Sequence, residues 1–502
     1  MALPTVADTP TGDEQPGRWF DSIDPRTGEV VGSHPVHGEQ DVRDRVRAAR
    51  EAAVWWAGLG FDGRKQRLDA WRRLIARRVE ELVTLMSAET GKPADDARLE
   101  LILVIDHLHW AARHAQPVLG RRKVGPGLLM ANQAATLEYH PLGVVGVIGP
   151  WNYPVFTPMG SIGYALAAGN AVVFKPSEYT PGVGRWLADS FAEVVPEQPV
   201  LSVVTGHGET GAALCRSGVA KIAFTGSAAT GRQVLAACAG TLTPVLMECG
   251  GKDALIVAED ADVAAAADAA VWGAMANAGQ TCAGVERVYV VASLADEFVA
   301  KVAAKVRPLR TGSHAGADIG PLTMPSQVDV VRAHIADALD RGGTAVVGGL
   351  DSVRAPYVGP VVLADVPEDS VAVTDETFGP TVVINRVADA DEAVARANDS
   401  RYALGAAVFS KAHGPELAAR LRAGMVSVNS VLSYAAVPAL PFGGTGDSGF
   451  GRIHGEDGLR EFARAQSVTR QRFRAPLRPM SFARGGGTVR RLVRLVRLRY
   501  GR

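Results

Sequence analysis

From Gly143 onward the sequence alternates short apolar runs with helix-length amphipathic segments, and this alternation constrains the fold more than any other feature. The runs "GVVGVI", "AVVF", "VLSVV" and "KIAF" are separated by segments such as "MGSIGYALAAG", "PGVGRWLADSFAEVV" and "HGETGAALCRSG". An apolar run without polar alternation reads as a strand buried on both faces, and buried strands separated by helices assemble into a parallel sheet of βαβ units. After Gly251 a second set begins, with "VERVYVV", "TAVVGG", "GPTVVINRV", "GAAVFS" and "GMVSVNS" around helical "LADEFVAKVAAKV" and "DVVRAHIADALDRG". The chain therefore reads as α/β, with two parallel-sheet domains and a boundary near "GGKD". No repeat at a solenoid period is visible.

Before the first sheet, "DVRDRVRAAREAAVWWAGL" and "KQRLDAWRRLIARRVEELVTLMSAETG" have helical texture. Leu68, Trp71, Leu74, Ile75, Val79 and Leu82 recur at three- and four-residue intervals, which predicts core-facing amphipathic helices. His107, His109 and His114 lie in the next helical stretch. Residues two apart point to different faces of a helix and no HExxH occurs, so these histidines read as packed or solvated rather than metal-binding. No metal site is expected.

At 502 residues the length suits about three domains. The four cysteines, Cys215, Cys238, Cys249 and Cys282, stand singly with no CxxC pair, which removes a zinc ribbon and a thioredoxin-like motif and suits a reduced, cytoplasmic protein. "MALPTVADTPTGDEQPGRWF" lacks the basic start and apolar run of a signal peptide, and no segment reaches about eighteen uninterrupted apolar residues. The net charge of zero hides an asymmetry. From Arg470 to Arg502 there are eleven arginines and no acid, which leaves residues 1–469 with 42 basic side chains against 53 acidic, a net charge of −11.

Parallel sheets bind ligands at the carboxyl ends of their strands, so the polar residues there are candidate site residues. "VVFKPSE" places Lys175 and Glu178 beyond one strand. "KIAFTGSAATG" places Gly226 and Ser227 at a strand-to-helix turn, where free N–H groups and the helix dipole attract a phosphate. Neither turn contains GxGxxG, and each alone is also an ordinary turn. "GPWNYP" adds Trp151 and Asn152 on a loop stiffened by Pro150 and Pro154, "MECGGKD" adds Glu248, and "NAGQTCAG" adds Cys282. A thiol, a carboxylate and an amide donor are the parts that covalent acyl chemistry requires. Each also has a plain reading: Asn152 as a turn former, Glu248 as a strand end, Cys282 as a small buried apolar residue.

"GPWNYP", "FKPSE", "FTGS", "ECGGKD", "NAGQTC", "DETFGP" and "PFGGTGDSGFGR" stand in an order and spacing that resemble the NAD(P)-dependent aldehyde dehydrogenase superfamily, from about Phe20 to about Ser467. The resemblance implies a Rossmann-like cofactor domain (residues 1–120 and 142–250), a second α/β catalytic domain (251–447) and a bridging oligomerisation arm (121–141 and 466–480), followed by a basic tail (481–502). It implies Cys282 as nucleophile, Glu248 as general base, and Asn152 with the Cys282 N–H as oxyanion hole. Trp151, Lys175, Glu178, Gly226, Ser227, Glu376 and Phe378 would hold NAD, with NADP as the second cofactor; a carboxylate at 178 favours NAD. Retention of Glu248 favours hydrolysis of the thioester over transfer to coenzyme A. Cys249 departs from the family's usual leucine and reads as a packing variant, with an oxidation-sensitive neighbour as the alternative.

The texture is similar to the subgroup that includes carotenoid-dialdehyde and other apolar aldehyde dehydrogenases. A long-chain or apolar aldehyde is the expected substrate, a small semialdehyde the alternative, and a non-catalytic binding scaffold the rival from another class. A homodimer or homotetramer is implied. The tail "TVRRLVRLVRLRYGR", drawn as a helix, gathers Val489, Leu492, Val493, Val496 and Tyr500 on one side and Arg490, Arg491, Arg494 and Arg497 largely opposite, an imperfect amphipathicity because Leu495 and Leu498 fall on the polar side. It suits peripheral contact with an anionic membrane or docking on the acidic body. Nucleic-acid binding is not expected, since no aromatic platform accompanies the arginines.

Overall fold

A computed structural model describes residues 18–474 and 479–501. The first 17 residues, on which the absence of a signal peptide was read, and residues 475–478 of the expected arm lie outside the described residues. The described chain forms two compact units, the larger ending its two segments at Val118 and Ala463, the smaller taking Leu119–His140 and the residues from Arg464.

The larger unit contains both expected sheets. The first runs in the order Gly449–Phe450, Val245–Glu248, Lys221–Thr225, Val144–Ile148, Ala171–Lys175, Leu201–Val203. Its five main strands are parallel, and only the Gly449–Phe450 edge is antiparallel. The chain winds outward in both directions from Val144–Ile148. Its loop and the loop after Lys221–Thr225 therefore flank a topological switch point, where a crevice opens at the carboxyl ends. The second sheet has seven strands, with Asp253–Val257 near its centre and Thr344–Val347 as an antiparallel edge. The strands Val144–Ile148 and Ala171–Lys175 are buried at every position, as the runs "GVVGVI" and "AVVF" predict, and Asp253–Val257, which was not among the quoted runs, is buried throughout as well.

Helices cover the first sheet through large aromatic anchors. Trp56 donates its indole N–H to the Leu166 carbonyl at 2.8 Å, and Trp71 donates to Ser190 Oγ at 2.9 Å while its ring meets Phe191 edge-on. The long helical pattern beginning at Lys65 is broken in the structure. One helix ends at Arg77, the next begins at Val79, and Arg78 between them leaves helical geometry (φ −110°, ψ 23°). The break shifts the helical phase, so Val79, expected in the core, is only half-buried, whereas Leu68, Trp71, Leu74, Ile75 and Leu82 are buried. His107 is buried against Phe156 and His454, while His109 and His114 are half-buried. Among the described residues no cluster of ligands suits a metal ion, and no helix is long and apolar enough to cross a membrane.

The smaller unit holds a three-stranded sheet of Ala463–Gln471, Gln133–Pro141 and Arg122–Val124, and a helix over Thr488–Tyr500.

Candidate active site

The loop after Val144–Ile148 carries Trp151 and Asn152 and is fixed from beneath by a buried ion pair. Lys92 Nζ lies 2.8 Å from Glu100 and donates to the Asn152 carbonyl at 2.7 Å. The other Glu100 oxygen accepts the N–H groups of Val155 and Phe156, each at 2.8 Å. Both charges are almost wholly buried, so every lone pair and proton here has to find a partner. The result is a rigid loop in which Asn152 Nδ2 donates to the Gln280 carbonyl at 2.9 Å, tying this amide to the segment that carries Cys282.

Cys282 sits on a turn that ordinary side chains resist. Asn277, Ala278 and Gly279 all adopt left-handed conformation (φ 53°, 55° and 69°). A Cβ at Gly279 would lie 2.0 Å from the Gly379 carbonyl oxygen, so "NAGQTC" and "DETFGP" cross backbone against backbone at this glycine. Gln280 then locks the turn, its side-chain oxygen accepting the Thr323 N–H at 2.8 Å. Cys282 is half-buried. Burial pushes its thiol well above the usual range, and the carboxylates of Glu376, Glu248 and Asp253 add to the shift.

Glu248 ends the strand Val245–Glu248 and is 3% exposed, yet its Oε1 has no hydrogen-bond partner among the described residues. Burial pushes its carboxyl up strongly, Arg452 opposes the shift and Glu461 reinforces it. A buried carboxyl oxygen left without a partner is costly unless a water or substrate group takes it. Its neighbour Cys249 is buried, with its N–H bonded to the Ser448 carbonyl at 3.0 Å and its thiol pushed up to about 12 by burial.

The residues expected to hold the cofactor converge on the switch-point crevice. Lys175 Nζ stands 3.6 Å from the Glu178 carboxylate, and burial lowers the lysine's pKa. Ser227 caps the helix Ala228–Ala239, its hydroxyl accepting the Thr230 N–H. Gly226 differs from expectation. Its N–H is not a free donor for phosphate but is bonded to the Glu248 carbonyl at 3.1 Å, because the turn stays in register with the neighbouring strand.

On the far side, Glu376 accepts the Gly251 N–H at 3.0 Å, and burial together with Glu286 raises its carboxyl to about 8. A Cβ at Gly250 would lie 2.1 Å from that carboxylate, which explains why "ECGGKD" has glycine there. The Phe378 ring meets Trp151 edge-on at 5.6 Å. Sequence reasoning missed the support of this loop. Buried Lys252 pairs with Glu286, whose carboxylate accepts the Thr377 and Phe378 N–H groups at 2.8 and 2.9 Å. Lys92 and Glu100 were missed in the same way, since a buried ion pair leaves no spacing signature.

Two cavities meet at Cys282. One, about 570 Å³, is the switch-point crevice and includes Trp151, Asn152, Lys175, Glu178, Ser227 and Phe378 in its walls. The other, about 290 Å³, runs from Glu248 and Cys282 along Leu103, Tyr153, Phe156 and Phe442. Cys249, Thr157 and Thr225 also line both. Leu99, Ile102 and Trp272, which the sequence reading did not single out, stand in the second cavity's wall and are about half exposed. A signal existed: in "LELILVI" Leu99 and Ile102 fall off the buried stripe of Ala97, Leu101 and Val104. No Lys, Arg or His is among the described residues that line this second cavity.

A doubly wound sheet joined to a second, mostly parallel sheet thus places a half-buried thiol where the switch-point crevice meets an apolar tunnel. A model of the aldehyde dehydrogenase family matches residues 11–468, and the chain belongs to that family. It is 36% identical to a 4,4'-diapolycopene aldehyde oxidase of a Methylomonas species, over 92% of this chain and 87% of that protein. It is also 36% identical to a putative NADP(+) succinate-semialdehyde dehydrogenase of Mycolicibacterium smegmatis, over 89% of this chain and 87% of the relative. Its fold matches the crystal structure of PnpE in complex with nicotinamide adenine dinucleotide at a TM-score of 0.86 and 32% identity, covering 92% and 96% of the two chains.

Proposed function

We propose that this enzyme oxidises a long-chain or apolar aldehyde to its carboxylate with NAD, through a thioester on Cys282. The observation that carries the reading is the position of Cys282 at the meeting of two cavities, the smaller lined mostly by apolar side chains and without a cationic one.

The crevice fits a dinucleotide: it is large, it lies at a switch point, and it offers a capped helix start at Ser227, the Lys175 and Glu178 pair, and Glu376 beside Phe378. When bound there, the nicotinamide supplies a hydride acceptor. As the Cys282 sulfur adds to the aldehyde carbon and makes it tetrahedral, its thiol proton passes to solvent. Asn152 Nδ2, held by Gln280 and by the Lys92 to Glu100 pair, donates its second N–H to the developing oxyanion, a contribution of about 3–4 kcal/mol. Collapse of the thiohemiacetal expels hydride and leaves the thioester. Glu248, whose Oε1 is otherwise unpartnered, takes a proton from a water that attacks the thioester carbonyl, and the carboxylate product leaves with Cys282 regenerated.

The lining of the tunnel supports an apolar aldehyde over a semialdehyde, the two substrate classes that its relatives suggest. A semialdehyde carboxylate there would be buried without a cation, a cost of several kcal/mol. Each methylene of an aliphatic chain instead gains about 0.8 kcal/mol, or about fourfold in kcat/KM. The Glu178 carboxylate accepts ribose hydroxyls and repels a 2'-phosphate, which favours NAD over NADP. The three-stranded sheet of the smaller unit is the surface through which a homodimer or homotetramer forms, and the enzyme works in the cytoplasm.

NADH formation with butanal, hexanal, octanal and succinic semialdehyde tests the reading. A rise of about fourfold per methylene, little turnover of the semialdehyde and weaker turnover with NADP are expected. A flat or inverted profile would remove the apolar substrate, and full activity in Cys282→Ala would remove the mechanism.

A further inference from the structure

The C-terminal helix Thr488–Tyr500 is an amphipathic element whose apolar face is exposed over most of its length, Leu492 alone of that face being half-buried. At 3.6 residues per turn, Val489, Leu492, Val493, Val496 and Tyr500 share an arc of about 100°, while Arg490, Arg491, Arg494 and Arg497 lie largely opposite, with Leu495 and Leu498 among them. Val489, Val493, Val496 and Tyr500 are 48%, 43%, 37% and 67% exposed. Just before the helix, Met480 and Phe482 are also fully or nearly fully exposed. Apolar side chains in such density are not left in water without a partner.

The chemistry of the face narrows that partner. From Arg470 to the end of the chain there is no acidic residue, so the helix has no internal counter-charge. A partner has to supply an apolar interior and a dense negative layer at once, separated by about the radius of one helix. A nucleic-acid backbone offers the negative layer without the apolar interior, and a protein groove meets the demand only where an acidic rim surrounds an apolar floor. A bilayer containing anionic lipid offers both, with the valines below the headgroups and the arginines level with the phosphates. The helix is 13 residues long, too short to span, and a helix lying in the interface is what remains.

We infer that the C-terminal helix docks this enzyme on an anionic lipid surface, lying in the plane of the membrane. The inference stands on the helix alone and does not require the substrate reading.

The test is flotation of the full-length protein with vesicles of phosphatidylcholine alone and of phosphatidylcholine with one third phosphatidylglycerol, without aldehyde. The protein is expected to float with the anionic vesicles and not with the neutral ones. The variant Val493→Glu with Val496→Glu changes only exposed side chains of a terminal helix. It is expected to lower flotation at least tenfold while turnover of a short soluble aldehyde stays at the parent's level. Arg490→Gln with Arg494→Gln and Arg497→Gln is expected to weaken binding and flatten its salt dependence. Absence of flotation with anionic vesicles would overturn the inference. So would flotation that the glutamates leave unchanged, which would mean attraction to any polyanion. A change of oligomeric state in the glutamate variant, read by sedimentation, would overturn it too, by making the face a contact between copies.

Discussion

Glu100→Gln is the most informative perturbation of the scaffold beneath the site. The carboxylate accepts Lys92 at 2.8 Å and two backbone N–H groups at 2.8 Å, and Lys92 in turn holds the Asn152 carbonyl. Glutamine keeps the shape but turns an amide donor toward the buried ammonium, leaving Lys92 without its counter-charge. Breaking a buried pair from one side costs about 3–5 kcal/mol, so Tm falls markedly. The loop also loses its clamp, and a shift of about 1 Å in Asn152 lowers kcat about a hundredfold. Thermal unfolding and steady-state kinetics read the two effects separately. Adding Lys92→Met removes the stranded charge and is expected to restore part of the Tm. It does not restore kcat, because Lys92 itself holds Asn152. Wild-type kcat in Glu100→Gln, or kcat recovered in the double variant, would refute the view that this pair positions Asn152.

Gly250→Ala places a methyl 2.1 Å from the Glu376 carboxylate; the carboxylate has to swing aside, overpacking lowers Tm by a few degrees, KM for the cofactor rises severalfold, and an unchanged KM would show that Glu376 does not hold the cofactor. Because burial and nearby carboxylates raise the Cys282 thiol, it stays protonated at neutral pH, and iodoacetamide inactivation of the cofactor-free enzyme is expected to accelerate about tenfold per pH unit between pH 7 and 9. Glu376→Gln removes a carboxyl that is charged above about pH 8 and speeds that inactivation there; a pH-independent rate would contradict the thiol's assigned environment.

The alternation of apolar runs and helices was legible because strands buried on both faces admit almost no polar residue, and each quoted run proved to be a strand. That Cys282 shares one cavity with Asn152 and another with Glu248 was foreshadowed by their motifs, each on a loop or strand end with an uncommon local texture. What the sequence hid depends on three-dimensional pairing. Lys92 with Glu100 and Lys252 with Glu286 are ordinary charges in the sequence, and only the fold makes them buried partners. Gly226 shows the opposite error: its place in a strand-to-helix turn suggested a free donor, but the adjacent strand takes its N–H. The break at Arg78 escaped a periodic pattern because a single non-helical residue alters phase without altering composition.

The division of labour between Cys282 and Glu248 is tested most directly by mass spectrometry of Glu248→Gln after mixing with NAD and an apolar aldehyde. Oxidation through a thioester that Glu248 hydrolyses predicts about one equivalent of NADH per site, then a stall, with the acyl group found on the peptide containing Cys282. Steady turnover at the parent's rate, or NADH formed with no acyl group on Cys282, would contradict it.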